Sequence, residues 1–275
     1  VVSSEQRRKQ LARDKHRRQL ERRAQRRRRA RMRNIGIAAG AVVVLSAFGA
    51  YAATGGFASE EENKAEEAPS PSPSSKAPDP CGKPAKGKPN GKTWEKEPAM
   101  KIDTSADYTM ELATTCGDIT LDLDAEKAPH TVNSFDFLTG EGYFDHTPCH
   151  RLLDDRLLQC GDPKGTGEGD PGYTIPDENL KDPRLKGNTY PAGTVAMANR
   201  YDAQADKGRD SGGSQFFLVF EDTQLPPDYT PFGKITGGMD VLKKIAKAGS
   251  VPDPQTGNTA PNATVVIDKA EVRKG

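Results

Sequence analysis

Tyr108-Thr109-Met110-Glu111-Leu112-Ala113-Thr114-Thr115-Cys116-Gly117-Asp118-Ile119-Thr120-Leu121-Asp122-Leu123 carries the pattern on which the fold rests. Tyr108, Met110 and Leu112 fall at every second position. After a turn at Cys116-Gly117-Asp118, Ile119, Leu121 and Leu123 do the same, with Thr120 and Asp122 between them. Successive side chains of a strand point to opposite faces, so a period of two with one apolar set reads as a β-hairpin laid on a core. Next, Ala128-Pro129 opens a helix, since proline is tolerated in a first turn. Val132, Phe135 and Leu138 recur at three-residue spacing until Gly140. A second helical pattern runs from Met239 through Val241, Leu242, Ile245 and Ala246 to Gly249. Short strands punctuated by Gly and Pro lie between, at 150–153, 157–159, 194–198, 215–220 and 232–235, and 264–267 adds one more. Roughly eight strands and two helices in about 170 residues predict a mainly β domain over 104–275, an eight-stranded antiparallel β-barrel capped by two α-helices.

Toward the N-terminus the composition changes twice. The 275 residues hold 40 Lys+Arg against 39 Asp+Glu, a net charge of +1. Residues 1–34 hold 15 basic and 3 acidic side chains, +12, which leaves −11 for the remainder. A large acidic part would repel phosphate, so no nucleic-acid partner is expected, and 34% hydrophobic residues exclude a polytopic membrane protein. No charge occurs between Arg33 and Glu60, and 35–48 is almost purely apolar. A helix over 35–57 would be roughly 34 Å long against a hydrocarbon core of about 30 Å, which predicts a single transmembrane signal anchor. The basic flank keeps 1–34 cytoplasmic and sends everything after Glu60 outside. Ala50-Tyr51-Ala52 offers the alternative of a cleaved secretory signal near Ala52. The long basic region and the uncharged run beyond that point favour the anchor, and both readings export the C-terminal part. Residues 1–34 are a topology signal that also attracts anionic lipid headgroups at about 1 kcal/mol per nearby basic residue. With Leu11 and Leu20 as its large aliphatics, the segment has no apolar helical stripe. Val1 in place of Met is read as a GTG start translated literally, which points to a bacterial gene.

Residues 58–103, with Glu60-Glu61-Glu62 and Pro69-Ser70-Pro71-Ser72-Pro73, read as an extended linker too polar to offset chain entropy. Cys81 and Trp94 mark its last part as pinned to the domain. All four cysteines, Cys81, Cys116, Cys149 and Cys160, lie beyond the apolar segment. An even count on the exported side predicts disulfides, with three pairings open; buried free thiols are the alternative, and no CxxC spacing occurs.

His150-Arg151-Leu152-Leu153, Leu157-Leu158-Gln159-Cys160-Gly161-Asp162-Pro163, Gly165-Thr166-Gly167, Gly172-Tyr173 and Asp177-Glu178 stand in an order that resembles the cyclophilin-type peptidyl-prolyl isomerase signature. Residues 193–199, 213–217 and 232–234 follow in the same order, so the resemblance covers 108–272. It implies Arg151 and Gln159 as catalytic residues. It also implies a peptide site of Phe217, Leu157, Met197, Ala198, Asn199, Gln215, Leu225 and Tyr229, with no cofactor and no metal. The chemistry explains those residue types. An X-Pro amide resists rotation by about 18–20 kcal/mol because its nitrogen donates a lone pair into the carbonyl. Twisting localises that pair, and a guanidinium donating to it stabilises the twisted state above either planar isomer. Gln159 would orient Arg151 or bind the carbonyl. Asn199 would hold the peptide through its backbone, and Phe217 with Leu157 and Leu225 would receive the ring.

Four departures from the resemblance stand out. Arg156 occupies the place of a pocket aromatic. Gln224 replaces the tryptophan associated with cyclosporin binding, which predicts weak cyclosporin sensitivity, and Tyr229 stands where many members have histidine. The charged stretch 200–210 is longer than usual and is expected beside the peptide groove. His130, His146 and His150 lack acidic or cysteine partners at metal-ligand spacing. Gly165-Thr166-Gly167-Glu168-Gly169 lacks the strand, helix and Lys-Ser/Thr ending of a nucleotide loop, and no GxSxG is present. Proline-containing polypeptides are thus the expected partners, turned over by a membrane-tethered isomerase that serves exported proteins. The alternative is a tethered, non-catalytic proline-peptide-binding or chaperone module. Arg151, Gln159 and Phe217 together favour the enzyme, because binding alone needs the slot and not the arginine.

Overall fold

The structure, a computed structural model, describes residues 79–153, 156–252 and 259–275. The basic tail, the anchor and residues 58–78 of the linker expected from the sequence lie outside the described residues. Among the described residues no helix is long and apolar enough to cross a membrane.

The elements follow in the order β1 (Tyr108–Thr114), β2 (Gly117–Leu123), α1 (Pro129–Gly140), β3 (Thr147–Pro148), β4 (Arg151–Leu153), β5 (Leu157–Cys160), β6 (Thr189–Tyr190) and β7 (Thr194–Met197). They continue with β8 (Phe216–Val219), β9 (Thr223–Gln224), β10 (Pro231–Gly237), α2 (Met239–Ala248), β11 (Ser250–Pro252), β12 (Thr259–Pro261) and β13 (Val266–Lys274). A short 3₁₀ turn over Lys186–Asn188 leads into β6. Nine strands form one curled antiparallel sheet in the order β3-β13-β1-β2-β10-β7-β8-β5-β4. The hairpin read from the sequence is present, with Tyr108 opposite Leu123 and Thr114 opposite Gly117. Its alternating set, Met110, Leu112, Ile119 and Leu121, is at most 1% exposed.

The sheet differs from the closed eight-stranded barrel expected. The strand expected at 150–153 forms as β4, paired to β5, and is preceded across Cys149-His150 by β3, paired to β13, which was not expected. No ladder joins β3 to β4. The two residues between them turn from one edge to the other, with the Cys149 amide donating to Val265 O at 2.9 Å and the His150 amide to Gln159 O at 3.1 Å. The C-terminal strand is longer than its apolar stretch, because its far half pairs with β1 as far as Tyr108 opposite Lys274.

Both helices form where the patterns placed them. α1 starts with Pro129 in its first turn and buries Val132, Phe135 and Leu138. The Phe135 ring meets Phe144, Phe216 and Phe232 at centroid distances of 5.2, 5.4 and 4.7 Å. Burial of one such side chain stabilises the fold by about 1.5–3 kcal/mol. α2 buries Leu242 and Ile245 and turns its lysines outward.

Residues 79–103, part of the expected linker, have no regular secondary structure yet lie fastened to the domain. Cys81 is disulfide-bonded to Cys116 at the β1–β2 turn. The Trp94 amide donates to Pro171 O, and the Trp94 ring stands edge-on to Phe137 at 5.1 Å. Asn90 Nδ2 donates to the carbonyls of Glu141 and Gly142, each at 2.9 Å, and Asn133 Nδ2 to those of Pro98 and Ala99. Gly87 lies against the His146 ring so closely that a side chain there would collide with it. The pinning expected at Cys81 and Trp94 therefore extends along the whole segment.

Candidate functional site

The site grows from strand parity. In β4, β5, β8 and β7 one set of alternate residues, Leu152, Leu158, Cys160, Phe216, Leu218, Val195 and Met197, joins the main core. The other set faces outward and aligns across strands. Arg151 stands opposite Gln159, Gln159 opposite Phe217, and Phe217 opposite Ala196. One register further, Leu153, Leu157 and Val219 make a parallel row. Leu157, Tyr190, Ala196, Phe217 and Val219 form a second buried apolar cluster, with Leu153, Ala198, Leu225 and Tyr229 against it. Two short rows thus set a cation, an amide and an apolar floor side by side.

A cavity of 270 Å³ opens over these rows, lined by His150, Arg151, Leu153, Leu157, Gln159, Gly167, Ala198, Asn199, Phe217, Leu225 and Tyr229. Its aromatic wall is braced from behind. Phe217 meets Tyr229 at 5.5 Å and Tyr190 at 6.2 Å, both edge to face. The Tyr190 hydroxyl donates to Tyr229 O at 2.8 Å and accepts from the Tyr229 amide at 3.1 Å. Burial pushes the Tyr190 phenol up to about 12, so it remains a neutral donor.

The polar side of the cavity is a relay of oriented amides. Arg151 Nη1 donates to Gln159 Oε1 at 3.2 Å, and Gln159 Nε2 donates to Gln215 Oε1 at 2.9 Å. Gln215 Nε2 donates to the carbonyls of Gly167 and Gly169, each at 2.9 Å. The loop presenting those carbonyls is built around Asp162, which is fully buried. Its carboxylate accepts from the amides of Lys164, Thr166, Gly167 and Gly169 and from the Thr166 hydroxyl. Burial alone would raise the Asp162 pKa, but those backbone amides outweigh it and hold the carboxyl below its usual range. Gly169 packs so tightly on the Asp162 carboxylate that no side chain fits there. The glycine-rich loop therefore encloses the chain's own carboxylate, an arrangement that repels phosphate.

His150 is 7% exposed beside Arg151. Burial chiefly pushes its imidazole below the usual value, opposed by Asp162 and helped by Arg151. At neutral pH it is uncharged, and Arg151 is the cation of the cavity. Among the described residues no group of His, Cys, Asp or Glu could hold a metal ion. His130 instead pairs with Glu97, with Nδ1 2.5 Å from Oε1.

Of the residues picked out from the sequence, Arg151, Gln159, Leu157, Ala198, Asn199, Phe217, Leu225 and Tyr229 line this cavity. Gln215, with Gln159, Ala198 and Asn199, lines an adjoining recess of 80 Å³. Met197 does not belong with them. Strand parity sends it with Val195 into the main core, where it is 2% exposed. Asn199 uses its side chain to donate to Asp228 O at 2.7 Å, which leaves its backbone to face the cavity. Arg156 is not among the lining residues, and Leu153 supplies that wall. Leu153 and Tyr190 were not singled out from the sequence. Leu153 had a signal, since it lies two residues from Arg151 in the same strand, whereas Tyr190 sits in a two-residue strand that periodicity does not reveal. The charged stretch 200–210 is fastened beside the groove by Arg209, which stacks 3.4 Å over the Tyr201 ring and pairs with Asp228 and Asp177.

The chain belongs to the cyclophilin family: the family model described as cyclophilin type peptidyl-prolyl cis-trans isomerase/CLD matches residues 109–272. The probable peptidyl-prolyl cis-trans isomerase B of Mycobacterium leprae is 44% identical over 179 residues, which cover 61% of this chain and 58% of that protein. The chain thus spans little more than half the length of that relative. Peptidyl-prolyl cis-trans isomerase B of Bacillus subtilis is 40% identical over 129 residues, covering 46% of this chain and 82% of that one. Among solved structures, a cyclophilin type peptidyl-prolyl cis-trans isomerase of Cryptosporidium parvum is similar, with a TM-score of 0.50, 26% identity, and coverage of 62% of this chain and 99% of that chain.

Proposed function

We propose that the chain catalyses cis–trans isomerisation of X-Pro bonds in polypeptides. The observation that carries this reading is the cross-strand row Arg151–Gln159–Phe217–Ala196, which sets a guanidinium beside the apolar Phe217, Leu157 and Leu225 in one cavity. In this mechanism the proline ring enters between Phe217, Leu157 and Leu225, and the Asn199 backbone holds the peptide. Arg151 donates to the prolyl nitrogen as its lone pair localises, a hydrogen bond stronger in the twisted state than in either planar one. Gln159 accepts from Arg151, which aims the guanidinium. No covalent bond forms or breaks, and no proton is transferred.

The test is NMR exchange spectroscopy on an Ala-Pro peptide with the full chain. Arg151→Ala is expected to lower kcat/KM by about a hundredfold. An inactive full chain, or an Arg151→Ala variant as active as the parent, overturns the reading. Peptide binding without exchange would instead identify a proline-peptide-binding module.

The clients in this reading are exported proteins, whose X-Pro bonds isomerise unaided in tens to hundreds of seconds. The basic block before an uncharged run supports a cytoplasmic N-terminus, a membrane anchor and an extracellular isomerase domain. Confinement of all four cysteines to the exported part supports an oxidising compartment. Protease shaving of intact cells tests this topology: the domain should be digested, and its protection would overturn the orientation.

A further inference from the structure

Two disulfides join the four cysteines, Cys81 to Cys116 and Cys149 to Cys160. They hold different things. The first fastens the segment 79–103 to the β1–β2 turn. The second bridges the two strands that carry Arg151 and Gln159. Cys149 lies two residues before Arg151, and Cys160 directly follows Gln159.

Among the described residues β4 is restrained by its ladder to β5, by β12 packed along its other side and by the fully buried Leu152 side chain. It has three residues, stands last in the sheet order, and forms its ladder with β5 alone. On its other side the Thr259 hydroxyl donates to Leu152 O. A strand this short at a sheet edge frays readily, because little cooperative pairing opposes its opening. The disulfide sits at the end of the ladder opposite the hairpin turn, so Arg151 is held between a covalent bridge and three residue pairs. Both sulfurs are buried, Cys149 at 4% and Cys160 at 1% exposure. A second cavity of 260 Å³, lined by Cys149, His150, Thr166 and Val265 among others, lies on the Cys149 side of the bridge.

We propose that the Cys149–Cys160 disulfide is a redox-controlled positioning element for Arg151. Oxidised, it keeps the guanidinium at the geometry the twisted amide requires; reduced, it releases the edge strand and turnover falls while the domain stays folded. The step is balanced by a dithiol. The dithiol gives two electrons and two protons to the bridge, which becomes two thiols, and is itself oxidised to a disulfide. This inference rests on the isomerase reading above.

The experiment measures exchange of an Ala-Pro peptide by the full chain and by the Cys149→Ser/Cys160→Ser variant, each with and without dithiothreitol. Amide dispersion monitors the fold, and the Arg151 Nε–H resonance, identified by its loss in Arg151→Lys, reports on the guanidinium. Reduction of the parent should lower kcat on the order of tenfold with KM little changed, broaden that resonance, and be reversed by reoxidation. The double-serine variant should start at the lowered kcat and not respond to dithiothreitol. Equal kcat in oxidised and reduced parent overturns the proposal. So does a double-serine variant that matches the oxidised parent or loses activity further with dithiothreitol. Loss of amide dispersion on reduction, or a variant that does not fold, also overturns it, because the bridge would then be a stability element only. An oxidised parent without any exchange activity instead defeats the isomerase reading and removes this inference with it.

Discussion

The two ends of the sheet use the same strand geometry for different purposes. At one end β13, β1 and β2 run for nine, seven and seven residues, with one face buried and the other open to solvent. At the other, β7 and β8 are four residues long and bury every residue. Antiparallel sheets ordinarily solvate one face, so a pair of strands apolar on both sides, with no helix over the outer side, needs a reason. The reason lies in the outward rows, where Phe217 and Leu157 line the candidate groove and Val219 and Ala196 pack behind them. Apolar residues on the wrong face of a short strand mark the binding surface, whereas on the long strands the same face carries Glu111 and Arg273.

The contrast between faces can be broken most directly at neighbouring phenylalanines. Phe216 is fully buried among Phe135 and Phe144, and Phe216→Ala should cost about 3–5 kcal/mol in denaturant unfolding while leaving KM for an Ala-Pro peptide unchanged in the folded fraction. Phe217→Ala should cost less stability and raise KM about tenfold. Equal shifts of KM in the two variants would erase the distinction.

A smaller effect is expected at Asp162, which serves the groove through its loop. Its pKa is held below the ordinary value, so its contribution to stability is complete above the unfolded value near pH 4 and is lost as pH falls through the folded one. Asp162→Asn should lower stability at pH 7 by about 1–3 kcal/mol and flatten the acid limb of the stability profile. It should also reduce isomerisation several-fold, because Gly167 and Gly169 would no longer hold Gln215. An unchanged acid limb in pH-dependent unfolding would remove Asp162 from this role.

The smallest effect belongs to the open face of the long strands. Arg273 pairs with Glu111 at 3.2 Å, and both side chains are about half exposed, at 58% and 49%. Arg273→Ala should change stability by less than about 0.5 kcal/mol, and less still at high salt. Thermal unfolding measures it. A loss of several kcal/mol would mean that the outer face of β1 and β13 is not the passive surface described.

The same contrast decides what could be read from the sequence. The β1–β2 hairpin was legible because its large apolar residues fall at every second position, and the two helices because Val132, Phe135 and Leu138 on one, and Leu242 and Ile245 on the other, keep helical spacing. Thr194–Met197 and Phe216–Val219 show no alternation, because both faces are buried; periodicity locates such a strand but cannot say which residues face the groove. Resemblance to the family assigned both Phe217 and Met197 to the groove, whereas Phe217 lines the cavity and Met197 packs into the main core. Strand parity, counted from Arg151 through the register, separates the two. The division of the sheet at Cys149-His150 was invisible, since β3 has two residues, Thr147 and Pro148, too few to show a period. The course of residues 79–103 was equally hidden beyond Cys81 and Trp94, because its contacts are scattered hydrogen bonds, ion pairs and ring contacts, which follow no period.

The covalent link between Cys81 and Cys116 has a mechanical consequence. Tension applied to the chain ahead of residue 79 reaches the domain at the β1–β2 turn, where Thr115 is also bonded to β13 through Val266 O. Three long paired strands share the load at that point. The path bypasses β4 and β5, so a domain pulled by its leading segment would bear the strain in its stiffest part while the strands that hold Arg151 and Gln159 remain slack.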